Sequence, residues 1–171
     1  MRNIDFIFIH CTAGYGDVAA IRKFWREKLK WKADGYHYFI YEDGTIEQLN
    51  DISVVTNGVR FYNSRSVHIA YQGGVNKQNY KLAEDTRTDE QKAAIIKVIT
   101  EVFEQIKETQ KTHEIYILGH REASIDSNGN GIIESWERIK ECPSFDAWEE
   151  YNWMQTKPGK KPSRTSYGNL K

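Results

Sequence analysis

The chain has 171 residues, 39% hydrophobic and 28% charged, which is enough to bury one core and suits a single domain. Lys plus Arg and Asp plus Glu both number 24, so no net field draws the protein toward nucleic acid or an anionic membrane surface. Aromatic residues reach 13%, with ten Tyr and five Trp, which suits a core or a groove that stacks on sugar or peptide.

From the N-terminus, the apolar run "IDFIFIH" (4–10) reads as a buried strand ending on His10. It is too short to cross a bilayer and has no secretory pattern, so the protein is expected to be cytoplasmic as synthesised and to act on its target after release. A helix from about Asp17 to Trp31 carries Ile21, Phe24 and Trp25 on one face and is expected to pack on the sheet. "YHYFIY" and "TIEQL" alternate on either side of Asp43-Gly44 and form a hairpin. "SVHIAYQGG" (66–74) is another strand. From Thr88, Ile95, Val98, Ile99, Val102, Phe103 and Ile106 keep helical spacing, and Thr88 with Gln91 makes a capping box. "EIYILGH" (114–120) is a strand that also ends on a histidine, His120. The order indicates an α/β fold, a single mixed β-sheet flanked by helices. The domain runs over 1–154; the stretch 155–171 holds five basic residues, no acidic ones and two of the three prolines, and reads as a disordered tail.

If the two histidine-ending strands lie parallel, His10 and His120 emerge at one sheet edge, where open α/β folds place their ligands. Cys142 of "KECPSFD", in a loop broken by Pro143, is the candidate third ligand. Two imidazoles and a thiolate leave one tetrahedral zinc position open, the arrangement of a catalytic site. On residue pattern alone, satisfied buried histidines and an inert thiol explain these positions better than a metal does. Cys11 faces the other side of its strand from His10 and is assigned to the core, His37 points away from Tyr36, and His68 is read as structural rather than cleft-lining. His113 has no assigned role.

The segments "FIHCTA", "GYHYFI" with "DGTIE", "GHRE" and "KECPSFD", in that order, resemble the zinc-dependent N-acetylmuramoyl-L-alanine amidases of type 2. That family includes phage lysis amidases and the peptidoglycan recognition proteins of animals, and the likeness runs from about Ile4 to Trp148. The resemblance implies an amidase fold, one catalytic Zn²⁺ on His10, His120 and Cys142, and Tyr36 and Lys140 as active-site groups. It also implies cleavage of the bond between N-acetylmuramic acid and L-alanine in peptidoglycan, and separately the protein is expected to be a monomer. The proton carrier to the leaving nitrogen stays open among Tyr36, Lys140 and the zinc water. The competing reading is a non-catalytic module that binds peptidoglycan without turnover.

Between His120 and Cys142, "DSNGNGIIESWE" (126–137) matches the calcium-loop pattern D-x-[DN]-x-[DN]-G-x₅-E. Asp126, Asn128, Asn130, the Ile132 carbonyl, Glu134 and Glu137 would be ligands of a structural Ca²⁺ that stiffens the segment holding Lys140 and Cys142. No helix is evident before the loop, so the helix-loop-helix frame is incomplete.

Overall fold

The computed structural model describes residues 2–111 and 114–156, and the backbone of 164–166 and 169–170. His113 and most of the basic tail lie outside the described residues. Five strands, β1 (Phe6–Cys11), β2 (Tyr38–Ile40), β3 (Ile46–Gln48), β4 (Ser66–Tyr71) and β5 (Tyr116–Gly119), form one sheet in the order β3-β2-β4-β1-β5. β2, β4, β1 and β5 are parallel and β3 is antiparallel to β2, the mixed sheet expected. The hairpin between β2 and β3 turns at Gly44, whose positive φ suits glycine.

Two-residue alternation gives the sheet two unlike faces. Ile7, Ile9 and Cys11 of β1, Val67, Ile69 and Tyr71 of β4, Tyr38 and Ile40 of β2 and Ile117 of β5 point to one side. They meet Ala94, Ile95, Val98, Ile99, Val102 and Ile106 of α2 (Asp89–Thr109), the apolar stripe expected for that helix. Burying each such aliphatic side chain contributes about 1.5–3 kcal/mol, so this layer supplies most of the cohesion. The α2 start is closed as the sequence indicates: the Thr88 hydroxyl accepts from Gln91 N and the Gln91 side chain accepts from Thr88 N. Cys11 belongs to this layer, as its position in the strand implied.

The opposite face carries a smaller cluster, Phe6, Phe8, Val59, Tyr62, Tyr116, Leu118 and Ala123, with Trp148 against it. At the C-terminal ends of the strands that apolar face gives way to histidines. α1 (Val18–Glu27), capped by Asp17, differs from expectation. Only Val18 and Trp25 are buried; Phe24 is 52% exposed, and with Ile21 it lines a cleft above the strand ends rather than packing on the sheet. The helix flanks the opening, so its apolar stripe serves as a wall.

The domain extends slightly past the expected boundary. β5 is a sheet edge with unpaired backbone groups, and the Gln155 carboxamide accepts from Ile117 N at 2.7 Å and donates to Ile117 O at 2.8 Å. Thr156 Oγ1 accepts from Ile115 N. These two residues, assigned by the sequence to the tail, act as a side-chain strand along the edge. Further on, Arg164–Ser166 and Asn169–Leu170 pair as a short antiparallel ribbon. Among the described residues, no helix is long and apolar enough to cross a membrane.

Candidate metal centre

Three chain segments converge at the C-terminal edge of the parallel strands. His10 is the penultimate residue of β1 and almost wholly buried. His120 begins a single 3₁₀ turn (His120–Ala123) directly after β5. Because β1 and β5 are paired with Ile9 opposite Gly119, the two histidines leave the sheet side by side, with ring centroids 5.0 Å apart.

Cys142 arrives on the following loop, which is tied down at Cys142, Pro143 and Ser144. Cys142 O accepts from Arg121 N (2.8 Å), Pro143 O from the Tyr71 hydroxyl (2.6 Å), and Ser144 Oγ donates to Gly74 O (2.7 Å). The Cys142 sulfur accepts from Cys11 N at 3.3 Å and lies 3.7 Å from His10 Nδ1. Gly119 permits the approach: a Cβ there would overlap the Pro143 ring and the Glu122 carboxylate. One ligand atom from each of His10, His120 and Cys142 lies within 4.8 Å of the other two. This is the only His/Cys/Asp/Glu group of three or more found with such spacing among the described residues.

The donor set is suited to a soft or borderline divalent ion. Burial lowers His10 far below the ordinary imidazole range, helped by His120, His68 and Lys140. Burial and then Lys140 bring His120 down to about 4. Both imidazoles are therefore neutral, with lone pairs free for coordination. Burial raises the Cys142 thiol, so the sulfur holds its proton until a cation displaces it.

Tyr36 stands beside this trio, its ring 5.1 Å from that of His10 and 5.3 Å from that of Trp25. Its placement follows from the loop after α1. Asp34, nearly buried, is gripped by Arg22 (3.1 Å) and Arg26 (2.6 Å) of that helix, Gly35 packs flat on Trp25, and Asn50 Nδ2 donates to Tyr36 O at 2.9 Å. Burial, then the neighbouring Cys142 and Cys11, hold the Tyr36 phenol well above its usual pKa, so it is an O–H donor throughout the physiological range. Among the described residues nothing hydrogen-bonds that hydroxyl. Lys140 is exposed and unpaired with any carboxylate among the described residues, and its charge reaches both histidines. All five groups line one cleft of about 500 Å³, walled by Ile21, Phe24, Leu29 and Trp31.

Residues 1–144 match the model of the N-acetylmuramoyl-L-alanine amidase family. The chain belongs to that family. Its activity is hydrolysis of the amide between N-acetylmuramic acid and L-alanine in peptidoglycan, so the reading as a mere binding module falls away. The amidase is 30% identical over 156 residues to the endolysin of Klebsiella phage KP32, covering 88% of each chain. In fold it is similar to the peptidoglycan recognition protein PGRP-SA of Apis mellifera, with a TM-score of 0.66, 17% identity and coverage of 92% of this chain and 88% of the other. It is likewise similar to the amidase LysC of Clostridium intestinale, with a TM-score of 0.61, 20% identity and coverage of 90% and 85%.

The other histidines of the amidase are internal. His37 and His68 are fully buried on the same sheet face as His10, and His68 is not cleft-lining. What sequence reasoning missed is the apolar wall of Leu29 and Trp31 and the Asp34–Asn50 hold on Tyr36, neither of which has a local signature.

The calcium expectation finds no support. Asp126 accepts from Gly129 N and Gly131 N, and Glu137 from Ser127 N and Glu134 N. Glu134 accepts from the Asn128 and Asn130 carboxamides, whose oxygens take the amides of Asn130 and Ile132. These are consecutive side-chain-to-backbone turns, and among the described residues the loop's acids do not gather into a three-ligand group. It is preceded by a single 3₁₀ turn, His120–Ala123, and ends in another, Ser135–Glu137, instead of lying between helices. The stiffness ascribed to an ion comes from these side-chain-to-backbone bonds.

Because Gly119 lets the cysteine loop close on β5, Gly119→Ala is expected to shift Cys142 and lower muropeptide turnover about 10²-fold, the effect of an ångström-scale misplacement. Steady-state release of stem peptide by the purified variant, with circular dichroism as the check on folding, measures it.

Proposed function

We propose that the amidase is a zinc hydrolase in which His10, His120 and Cys142 hold the ion while Tyr36 and Lys140 act on the scissile amide. The observation that carries the reading is the convergence of three ligand atoms within 4.8 Å at the base of a cleft, all from groups whose environment leaves them uncharged. Three protein ligands on zinc supply Lewis-acid polarisation of a carbonyl and activation of water near neutral pH, with a water pKa of about 7.

The chain's own groups do the rest. The Tyr36 hydroxyl, kept protonated by burial, donates to the oxygen that gains charge as the carbonyl is attacked. Lys140 brings a positive charge to the same side, and each such preorganised donor is worth about 2.7–4 kcal/mol in the transition state. The apolar wall of α1 excludes water from one side of the cleft and offers surface to the sugar and the lactyl group. Tyr36 and Lys140 are the protein's two candidates for delivering the proton to the departing L-alanine nitrogen.

The substrate is peptidoglycan or a muropeptide, and the amidase acts on the wall as a monomer after release from the cell in which it is made. Residues 1–154 form the catalytic unit, with Gln155 and Thr156 bound along its β5 edge, and the basic stretch that follows is an appendage to it. The Klebsiella phage KP32 relative is an endolysin, which supports a lytic role here.

Two results are expected. Cys142→Ala loses both zinc and activity, whereas Tyr36→Phe and Lys140→Ala retain zinc and lose about 10²–10³ in kcat, measured by metal analysis and by stem-peptide release from purified wall. At pH 6 the histidines are already neutral, His120 titrating near 4 and His10 well below its ordinary value. Only the raised Cys142 thiol then has a proton to give, so zinc binding releases a single proton, and affinity climbs as pH increases. Calorimetry in buffers of different ionisation enthalpy counts that proton; release of two or three would mean that the imidazoles were charged.

A further inference from the structure

Four imidazoles cross the sheet in a row. His37 precedes β2, His68 is in β4, His10 is in β1 and His120 follows β5, and these are the four adjacent parallel strands. Ring centroids are 5.7 Å apart from His37 to His68, 5.2 Å from His68 to His10 and 5.0 Å from His10 to His120. Only the last two residues of the row belong to the metal trio. His68 is fully buried, does not line the cleft, and places its Nδ1 3.1 Å from His10 Nε2.

His68 has a purpose-built slot. Its ring stacks between Phe8 (5.8 Å, 17°) and His37 (5.7 Å, 25°), and a Cβ at Gly58 would run into it. Its backbone N–H donates to His37 Nδ1 at 3.0 Å, which leaves Nε2 as the protonated nitrogen, with Val54 O at 2.9 Å to accept and the Arg2 guanidinium at 3.0 Å. His37 is thereby fixed with its proton on Nε2, and the His68 backbone is fixed with it. His68 Nε2, in contrast, is buried with no hydrogen-bond partner among the described residues. Among the described residues, the one hydrogen-bonding contact of the His68 ring is therefore to His10.

We propose that His68 is a positioning residue for the metal ligand His10, selecting the tautomer that leaves Nδ1 bare. Two neutral imidazoles joined Nε2 to Nδ1 share one proton between them. If His68 Nδ1 carries it, His10 must be protonated on Nδ1, the nitrogen facing the Cys142 sulfur at 3.7 Å, and cannot ligate there. If His10 Nε2 carries it and donates to His68, Nδ1 presents its lone pair to the site. Metal entry therefore requires a bare His68 Nδ1 as the receiving atom, with the His68 proton on the unpartnered Nε2. The slot holds the ring where that acceptor is available, and metal-bound histidines depend on such outer hydrogen bonds for orientation and basicity.

This inference rests on the zinc reading, and the experiment separates the two. Zinc dissociation constants are measured by competition with a chromophoric chelator for the full chain, for His68→Leu, which fills the slot without an acceptor, and for His68→Asn, whose carboxamide oxygen can stand near the Nδ1 position. The expected result is a 10- to 100-fold weakening in His68→Leu, with much of the affinity restored in His68→Asn. Wild-type affinity in folded His68→Leu overturns the role of His68 and leaves the zinc reading intact; absence of zinc binding by the wild-type chain overturns both. Long-range ¹H–¹⁵N spectra of the zinc-loaded wild-type chain decide the matter even should a variant not fold. The His10 proton is expected on Nε2 and the His68 proton on Nε2, and ligation of zinc through His10 Nε2, or a proton on His68 Nδ1, overturns the proposal.

Discussion

The pairing of β1 with β5, parallel and in register, is the constraint from which the site follows. It sets Ile9 opposite Gly119, and so it makes His10 and His120 neighbours where the two strands end. Parallel strands need long crossovers, and here those crossovers carry the rest of the machinery. The connection from β1 to β2 contains α1 and Tyr36, the one from β4 to β5 contains α2, and the segment after β5 returns with Lys140 and Cys142. A slip of one residue between β1 and β5 would turn one histidine into the α2 core and leave the cysteine with a single imidazole.

The two faces of the sheet divide the work. The α2 side is mainly aliphatic, and of the site residues only Cys142 packs against it, its sulfur accepting from the Cys11 backbone N–H. The other side has an aromatic cluster around Phe6 and Phe8, and beside it a row of imidazoles, which β1 and β5 reach two residues past Phe8 and Leu118. Burying polar rings next to aromatic ones is costly unless their nitrogens are used, and His10 and His37 both use theirs. Burial lowers the basicity of the imidazoles and raises the pKa of the thiol, so the pocket is uncharged until a cation enters, and desolvation of a preformed charge is avoided.

Much of this was legible in the sequence, because the informative parts are periodic or local. The α2 stripe and its Thr88–Gln91 cap, the β2–β3 hairpin and the histidine-ending strands each have a short-range signature, and all are present. The four family words carried the site, since spacing alone left His10, His120 and Cys142 no better explained as ligands than as core. What was not legible depends on distant pairing. Ile21, Phe24 and Trp25 have the spacing of a sheet-facing stripe, and only the position of α1 over an open strand end turns it into a cleft wall. His68 reads as an ordinary strand histidine until β4 is known to lie beside β1. The loop 126–137 is the opposite case: its pattern of Asp, Asn and Gly is also that of consecutive side-chain-to-backbone turns, which the structure contains, while the calcium reading finds no support.

X-ray absorption at the zinc edge of the loaded amidase tests the centre most directly, because it reports ligand atoms without reference to catalysis. Two imidazole nitrogens at about 2.0–2.1 Å and one sulfur at about 2.3 Å, with a light atom completing four-fold coordination, are the expected shell. A shell of oxygen and nitrogen alone, unchanged in Cys142→Ala, would contradict it.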